Sequence, residues 1–423
     1  MIEAAAFAVF DARLDPASHD PLAVAVSGGG DSMALLHLSA AWARRYERPL
    51  RVLTVDHALN PDSAGWSRFV AAAANRLGLA TDVLHWRGPK PATGVPAAAR
   101  AARHALLSEA SRDAGARVLL MGHTADDLLE GRRMRSEGAS VGDPREWTPS
   151  PAWPEGRNVF LLRPLLGIRR EPLRDWLHAQ GEAWIEDPAN QDVRFHRARV
   201  RDPSPFVGEG VLRRGTDEGA SRDRREAGAT PHPSASQPPS PARGEGVLAL
   251  TRAEAPNWLG PAILCAAGGA RPPRAERLRA LSDRLATGEN FTATLAGARL
   301  AAPGDCVLLG RDAGRSGIPP LAVEAGEAVW DGRFAVVTDR PGAVVALRGR
   351  LARLEPAARA ALAGVPSWQR PTLPILETPD GKLRMVRRRC LVHDRWLAAC
   401  GAFAREAELP LLTVAQPLQR TYL

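Results

Sequence analysis

The sequence SGGGDS at residues 27–32 is the feature that most constrains the fold of this chain. It follows an apolar run, LAVAV at 22–26, and precedes a stretch with helical periodicity at 32–45. Glycines let the backbone turn with positive φ and approach a ligand closely, and a helix that starts after them directs N–H groups at an anion. This order predicts a phosphate-binding turn. Taken alone, an ordinary tight turn capped by Asp31 or Ser32 explains the same residues.

Short apolar runs alternate with amphipathic stretches through the first 200 residues. That alternation predicts an α/β fold with a doubly wound, mainly parallel sheet covered by helices. Strands are expected at 22–26, 50–57, 81–86, 117–123 and 159–166. Helices are expected at 32–45, 62–77, 96–114, 124–136 and 170–180.

The composition changes after residue 201. Residues 202–246 are rich in Pro, Gly, Ser, Arg and Glu, and the segment carries two near-copies, PSPFVGEGVL and PSPARGEGVL. Such a composition buries too little apolar surface to offset its ordering entropy, which predicts a disordered insertion. Helical periodicity at 274–286 is followed by strand-like runs at 291–312, 327–349 and 381–399. The predicted units are 1–201, the insertion at 202–246, a small helical middle region with strands at 247–318, and a β-containing C-terminal domain at 319–423.

The formal net charge of +9 favours a polyanionic partner such as a nucleic acid. A phosphorylated small molecule is the alternative. Nearly all the positive charge is arginine, because Lys90 and Lys382 are the only lysines. With no lysine near the glycine loop, phosphate would be held by N–H groups and by the hydroxyls of Ser27 and Ser32.

The cysteines and the apolar runs exclude several classes of protein. Cys265, Cys306, Cys390 and Cys400 lie far apart without a CxxC pair, so neither a disulfide framework, a zinc ribbon nor cysteine-borne sulfur chemistry beside the glycine loop is expected. No apolar run reaches the length of a membrane span, and acids stand in the first residues where a secretory signal would carry basic residues. We therefore expect a cytoplasmic protein that does not contact a membrane.

Two further segments carry candidate ligand-binding residues. Asp56 and His57 end the second predicted strand, at the edge where doubly wound sheets bind ligands. Arg100 and Arg103 have the i, i+3 spacing that places both on one helix face, where two guanidiniums could stabilise phosphate charge. A strand-end turn and a solvated helix face are the respective alternatives.

An acidic cluster follows the fourth predicted strand in RVLLMGHTADDLLEG at 117–131. Asp126, Asp127 and Glu130 fall in the first turns of a helix, with His123 at the strand end. A capping box from Thr124 to Asp127 explains one of these acids. Three acids, together with Asp31 beside the phosphates, favour a Mg²⁺ site.

These segments together resemble a known family. Ser-Gly-Gly-x-Asp-Ser between a strand and a helix resembles the signature of the PP-loop, or ATP-pyrophosphatase, superfamily. VDHALNPDSAGW, ARAARHALLSEA and RVLLMGHTADDLLEG are similar to motifs of the tRNA(Ile)-lysidine synthases, as are LLRPLLGIRREPLRDWL at 161–177 and WIEDPANQDVRFHRARVR at 184–201. VPSWQRPTLPIL at 365–376 is similar to a segment of that family's C-terminal domain. The resemblance covers residues 20–201 well and 291–400 weakly.

The resemblance implies a fold of the adenine nucleotide alpha hydrolase-like type and a specific reaction. ATP would adenylate the C2 oxygen of the wobble cytidine (C34) in the CAU anticodon of tRNA-Ile. Free L-lysine would then displace AMP through its ε-amine. The implied partners are ATP, Mg²⁺, L-lysine and tRNA-Ile, and a homodimer stays open.

The resemblance also assigns roles to residues. Catalysis would involve Asp31, Arg100, Asp126, Asp127 and Glu130, with the last three holding Mg²⁺ or the lysine amine. ATP would be bound by Ser27, Gly28, Gly29, Gly30, Asp31, Ser32, Asp56, His57, Arg103 and His123. The tRNA would contact Arg163, Arg169, Arg170, Asn190, Arg194, Arg197, Arg201, Arg387, Arg388 and Arg389.

Some positions depart from the family pattern. Leu128 and Gly131 stand where the family has glutamine and threonine, and the loop at 131–156 is long and rich in tryptophan and proline. By resemblance this loop lies near the reacting cytidine, so the ATP chemistry is better supported than the acceptor. The alternatives are a PP-loop cytidine 2-thiolating enzyme, an ATP-dependent amidase or synthetase acting on a small acid, and a non-catalytic RNA-binding relic. The absence of cysteines near the loop argues against thiolation.

Overall fold

The computed structural model describes residues 1–137, 142–186, 246–269 and 272–409. Its N-terminal part is a six-stranded sheet with helices on both faces. In chain order the elements are α1 (Ile2–Arg13), β1 (Leu22–Ala25), α2 (Gly30–Arg45), β2 (Leu50–Asp56), α3 (Ser63–Arg76), β3 (Thr81–His85), α4 (Val95–Asp113), β4 (Val118–Met121), α5 (Ala125–Ser136), β5 (Trp147–Pro149), β6 (Phe160–Leu162) and α6 (Arg170–Ala179).

The strand order is β3-β2-β1-β4-β6-β5. Strand β1 pairs in parallel with β2 on one side and β4 on the other, so that Leu22 lies beside both Leu50 and Val118. Strand β5 alone in this sheet runs antiparallel, at the edge beside β6. The connections leave β1 in opposite directions, which opens a crevice at the carboxyl ends of β1 and β4. The predicted doubly wound, mainly parallel sheet is confirmed.

The strands of the sheet are continuous apolar runs because both faces of the sheet are buried. Leu22 and Val24 belong to one apolar cluster with Met33 of α2, whereas Ala23, between them, belongs to a second cluster with Leu107 of α4. Alternate side chains of one strand thus fill two cores, and a continuous apolar run is the expected pattern.

The rest of the chain is built mainly of antiparallel sheets. One sheet has the order β7-β10-β9-β8, a second β11-β14-β15-β16 and a third β12-β13-β17. Their elements are β7 (Leu248–Thr251), α7 (Ala255–Ala267), α8 (Ala275–Ala286), β8 (Phe291–Leu295), β9 (Ala298–Ala302), β10 (Cys306–Arg311), β11 (Leu321–Val323), β12 (Gly326–Trp330), β13 (Phe334–Thr338), β14 (Gly342–Ala346), α9 (Pro356–Ala361), β15 (Pro374–Glu377), β16 (Leu383–Met385), β17 (Arg387–Cys390) and α10 (Val392–Ala399).

One sequence prediction in this region was partly wrong. The run at 381–399 was expected to be strand-like throughout, but its second half forms α10. Val392 and Trp396 are four residues apart and are both buried in the core formed with α7. The helical interpretation of 274–286 is confirmed by α8. The predicted insertion lies outside the described residues apart from Gly246, and the proposed unit boundaries remain predictions.

The last described segment returns to the N-terminal sheet. Arg48 and Glu406 are 4% and 5% exposed, and the Glu406 carboxylate accepts two hydrogen bonds from Arg48, at 2.5 and 3.2 Å. The Asp15 N–H also donates to Glu406, at 2.9 Å. Nearby, the Trp147 indole donates to the Phe403 carbonyl at 2.9 Å. A buried ion pair therefore joins residues that lie 358 positions apart in the chain.

The described residues also show two simpler features. All four cysteines are free thiols. Each helix in this part of the chain is too short or too polar to cross a membrane.

Candidate functional site

The glycine loop connects β1 to α2 at the crevice of the sheet. Gly28 has φ +92°, and α2 begins at Gly30. The Ser32 hydroxyl accepts the Ser27 N–H at 3.2 Å and donates to the Gly29 carbonyl at 2.9 Å. The loop is thus closed around its own hydroxyls, with the positive end of α2 at its mouth, where an anion is stabilised.

Two neighbours hold the loop in position. A Cβ at Gly122, just after β4, would lie 3.1 Å from the Asp31 carbonyl oxygen, so the glycine permits the strand end to touch the loop. On the other side the Ile185 N–H donates to the Gly28 carbonyl at 2.9 Å. The loop is therefore held between the end of β4 and the segment that follows α6.

Gly28→Ala should distort the loop. The φ of +92° strains an L residue, and its Cβ would meet the Ile185 side chain at 2.6 Å. We expect a loss of about 1–3 kcal/mol in the free energy of unfolding, together with weaker ATP binding. Chemical denaturation and ATP titration check this. Gly78→Ala is the matched control, because Gly78 also has positive φ but has open space at its Cβ and lies outside the loop; equal loss of ATP binding in both variants would contradict the account.

A single arginine at the first turn of α6 lies among the predicted acids. The Arg170 guanidinium donates to Asp31 Oδ2 at 2.8 Å and to Glu130 Oε1 at 3.2 Å, and lies 3.9 Å from Asp127. Burial raises the pKa of Asp31, although Arg170 opposes that shift. Asp31 Oδ1 is buried and has no hydrogen-bond partner among the described residues.

The other two acids of α5 have different partners. Asp126 accepts the Arg170 backbone N–H at 2.8 Å and two bonds from the Arg169 guanidinium at 3.0 Å each. Burial acts to raise the pKa of Asp126, but these hydrogen bonds outweigh it and lower the pKa. Asp127 accepts the Thr124 N–H at 2.8 Å in a capping box at the start of α5, which confirms the predicted cap.

A group of cations surrounds the buried histidines behind the acids. Burial and the charge of Arg163 lower the pKa of His123 to about 3, and burial and Arg103 lower that of His104 to about 3. The Arg163 guanidinium donates to His123 Nδ1 at 3.3 Å and is 5% exposed. Both imidazoles are therefore neutral at physiological pH. The burial of Arg163 supports an internal role over the predicted contact with tRNA.

The neutral histidines predict a pH-dependent stability. The pKa of His104 is about 3 in the folded protein and 6.5 without burial. The neutral imidazole therefore contributes fully to the unfolding free energy above pH 6.5, and this contribution is lost as pH falls toward 3. Between pH 7 and 5 the wild type should lose about 2 kcal/mol more unfolding free energy than His104→Gln. Urea denaturation at the two pH values measures this, and parallel losses would contradict the assignment.

Asp56 and His57 lie at the carboxyl end of β2, as predicted. Hydrogen bonds from Ser63 and the Ala58 N–H lower the pKa of Asp56. The His57 ring meets the Trp86 ring edge-on with 6.1 Å between centroids. The Lys90 ammonium lies 4.0 Å from the centre of the Trp86 ring. Sequence reasoning missed Trp86 and Lys90, although the rarity of lysine in this chain is a signal that could have found Lys90.

The remaining predicted residues lie on α4, on β17 or outside the described residues. Arg387, Arg388 and Arg389 are on β17, in a different sheet from the glycine loop. Arg100 and Arg103 are on α4 and act electrostatically on His123. Asn190, Arg194, Arg197 and Arg201 lie outside the described residues.

The divergent segment at 131–156 begins in α5, and its second half contains a strand. Residues 147–149 form the edge strand β5, and the Trp153 indole donates to the Gly332 carbonyl at 2.7 Å. The Arg395 guanidinium lies 4.4 Å from the centre of the Trp153 ring. The second half of the loop therefore contacts the C-terminal part of the chain, and its tryptophans fill that junction.

A cavity of about 810 Å³ lies beside this junction. Arg117 and Val159, which line it, immediately precede β4 and β6. Its other walls include Leu264, Leu278 and Phe403. The cavity is therefore at the amino ends of the strands, opposite the glycine loop, and is not the phosphate site.

The donor chemistry at the loop fits a magnesium ion. Within the described ranges no three His, Cys, Asp or Glu side chains are grouped to hold a metal by themselves. Mg²⁺ in nucleotide sites usually takes only one or two carboxylates, with phosphates and waters completing the shell. The buried Asp31 Oδ1 supplies such an oxygen beside the phosphate loop.

Comparison with known proteins identifies the family of this chain. The family model of the PP-loop domain matches residues 5–203. A tRNA(Ile)-lysidine synthase from Caulobacter vibrioides is 46% identical over 95% of this chain and 98% of its own length. One from Hyphomonas neptunium is 36% identical over 84% of this chain and 95% of its length, and one from Rhizobium meliloti is 33% identical over 76% and 74%. The chain is a PP-loop protein with an ATP site. It belongs to the tRNA(Ile)-lysidine synthase family.

Proposed function

We propose that this chain is a cytoplasmic ligase that joins L-lysine to C2 of the wobble cytidine (C34) in the CAU anticodon of tRNA-Ile. It uses ATP and releases AMP and pyrophosphate. The observation that carries the proposal is the similarity to the Caulobacter vibrioides relative across nearly the whole of both chains. The closed glycine loop with Asp31 at the start of α2 supports the ATP-dependent step.

ATP binding follows from the loop. Its N–H groups, with the hydroxyls of Ser27 and Ser32, bind the phosphates at the positive end of α2. Asp56 and His57 contact the rest of the nucleotide from the neighbouring strand end. The cations Arg100 and Arg103 stabilise phosphate charge as pyrophosphate leaves.

The acids supply the metal site. Asp31 would hold Mg²⁺ beside the loop, and Glu130, Asp127 and Asp126 would add negative charge around it. When bound, Mg²⁺ neutralises the charge that develops on pyrophosphate. The protein's own part is to hold these carboxylates beside the loop in a half-buried site.

The second step joins lysine to the activated base. The ε-amine forms a bond to C2, and the bond from C2 to the AMP-bearing oxygen breaks. The amine proton passes to one of the carboxylates of Asp126, Asp127 and Glu130. Arg169, which is exposed at the site, and Arg387, Arg388 and Arg389 on β17 contact the tRNA backbone without reading its sequence.

The proposal is tested by incubating the protein with ATP, Mg²⁺, radiolabelled lysine and a tRNA-Ile transcript carrying CAU. We expect lysine to enter the transcript with one AMP per lysine. The matched control is the same transcript with uridine at the wobble position, which should take up none. AMP release that does not depend on tRNA would contradict the proposal, and so would uptake of lysine by both transcripts.

A further inference from the structure

Arg170 contacts acids from both of the helices that border the phosphate loop. It reaches Asp31 on α2 at 2.8 Å and Glu130 on α5 at 3.2 Å. Its side chain is 18% exposed. Sequence reasoning assigned Arg170 to tRNA contact, but its guanidinium points among the carboxylates instead.

The backbone fixes this position. The Arg170 N–H donates to Asp126 at 2.8 Å, and the Ala125 N–H donates to the Ile168 carbonyl at 2.9 Å, so the starts of α5 and α6 are tied together. The Arg170 side chain therefore extends from a fixed backbone position and not from a free loop. An arginine cannot lose its proton in a protein, so a permanent positive charge sits where a metal would bind.

The balance of charge is the decisive feature. Three carboxylates, those of Asp31, Glu130 and Asp127, lie within 3.9 Å of one guanidinium. Without it they would repel one another and attract any divalent cation strongly, because Coulomb energies are large in a half-buried site. With Arg170 present, the carboxylates that would bind a metal are already paired with a guanidinium when ATP is absent. ATP changes this balance, because its phosphates bring further negative charge to the loop.

We propose that Arg170 is a positioning residue that couples metal binding to ATP binding. It orients the carboxylates of Asp31 and Glu130, and its charge keeps Mg²⁺ from binding tightly until the phosphates of ATP are bound. Once the phosphates and the metal are in place, the guanidinium remains beside the loop as a partner for phosphate charge. This inference rests on the proposed ATP- and Mg²⁺-dependent function.

The test measures Mn²⁺, as a probe for Mg²⁺, binding to the full chain by titration calorimetry or electron paramagnetic resonance. Binding is measured with and without a non-hydrolysable ATP analogue. The wild type should bind Mn²⁺ weakly alone and much more tightly with the analogue. In Arg170→Met, Mn²⁺ alone should bind at least about tenfold more tightly, and the gain from the analogue should shrink by a similar factor. Unchanged Mn²⁺ affinity without ATP would overturn the proposal.

Matched variants separate charge from structure. Arg170→Lys keeps the charge and should retain weak binding of Mn²⁺ alone; tight binding in this variant would overturn the charge argument. Arg169→Met removes the neighbouring arginine, which pairs with Asp126 and not with Asp31, and should raise Mn²⁺ affinity less than Arg170→Met does. A larger gain in Arg169→Met than in Arg170→Met would assign the effect to Asp126 and overturn the proposal.

A replacement variant and the lysine-transfer assay separate the possible outcomes. If Arg170→Met fails to fold, Arg170→Gln replaces it, because the amide still donates to Asp31 without carrying charge. Mn²⁺ binding without ATP requires neither lysine nor tRNA. If lysine transfer fails while the Mn²⁺ result holds, the proposed function falls and the coupling stands. If lysine transfer succeeds while Arg170→Met binds Mn²⁺ like the wild type, only the coupling falls.

Discussion

Asp31→Asn should lower the rate of ATP-dependent AMP release by at least about 100-fold, because it removes the carboxylate nearest the phosphate loop. Asparagine has almost the same shape, and burial already disfavours the charge of Asp31 by raising its pKa. The variant should therefore fold. The measurement is AMP release at saturating ATP, with circular dichroism to verify folding.

Asp113→Asn is the matched control for this prediction. Asp113 ends α4, and its side chain is 70% exposed, with Arg112 at 4.0 Å as its charged neighbour. The same chemical change there should leave AMP release within about twofold of the wild type, since an exposed pair contributes little. A rate for Asp31→Asn within threefold of the wild type would show that the acid does not act in the ATP step.

Glu406→Gln should destabilise the protein by about 3–5 kcal/mol. The substitution leaves the Arg48 guanidinium, which is 4% exposed, as a buried charge without its carboxylate. It also weakens the bond from the Asp15 N–H, which anchors the segment after α1. Urea denaturation followed by tryptophan fluorescence measures the loss.

Glu408→Gln tests whether burial is the cause. Glu408 lies in the same short helical turn as Glu406, but its side chain is 38% exposed and its charged partner is the exposed Arg405. Its substitution should cost less than about 1 kcal/mol. Equal losses for the two variants would mean that the ion pair with Arg48 is not what stabilises the return of the C-terminal segment.

The parallel sheet could be predicted because its signals are local. The run at 22–26 is apolar throughout, the run at 50–55 is mostly apolar, and each is followed by an amphipathic helix. Burial on both faces requires that pattern, so the strands and their order along the chain follow from the positions of the apolar runs. The glycine loop was located for the same reason, since a positive φ at Gly28 needs a residue without a Cβ.

Other features depend on contacts that sequence spacing does not reveal. Helix α1 was not predicted; its Phe10 packs against Trp42 of α2 with 5.7 Å between ring centroids, a contact between two elements that spacing within α1 does not reveal. The role of Arg170 depends on the start of α6 packing against α5, 40 residues away from Glu130. The Arg48–Glu406 pair has no local signal in either segment, because its energy arises entirely from burial in the folded chain.

Lysine transfer to the wobble cytidine of tRNA-Ile is the function proposed for this chain. The most direct measurement is mass spectrometry of nucleosides and anticodon fragments from the CAU transcript after reaction with ATP and lysine. We expect a lysine-bearing cytidine at the wobble position and unmodified cytidines elsewhere, with no product in the Asp31→Asn variant. An unmodified wobble cytidine after complete consumption of ATP, or lysine on any other nucleotide, would contradict the proposed function.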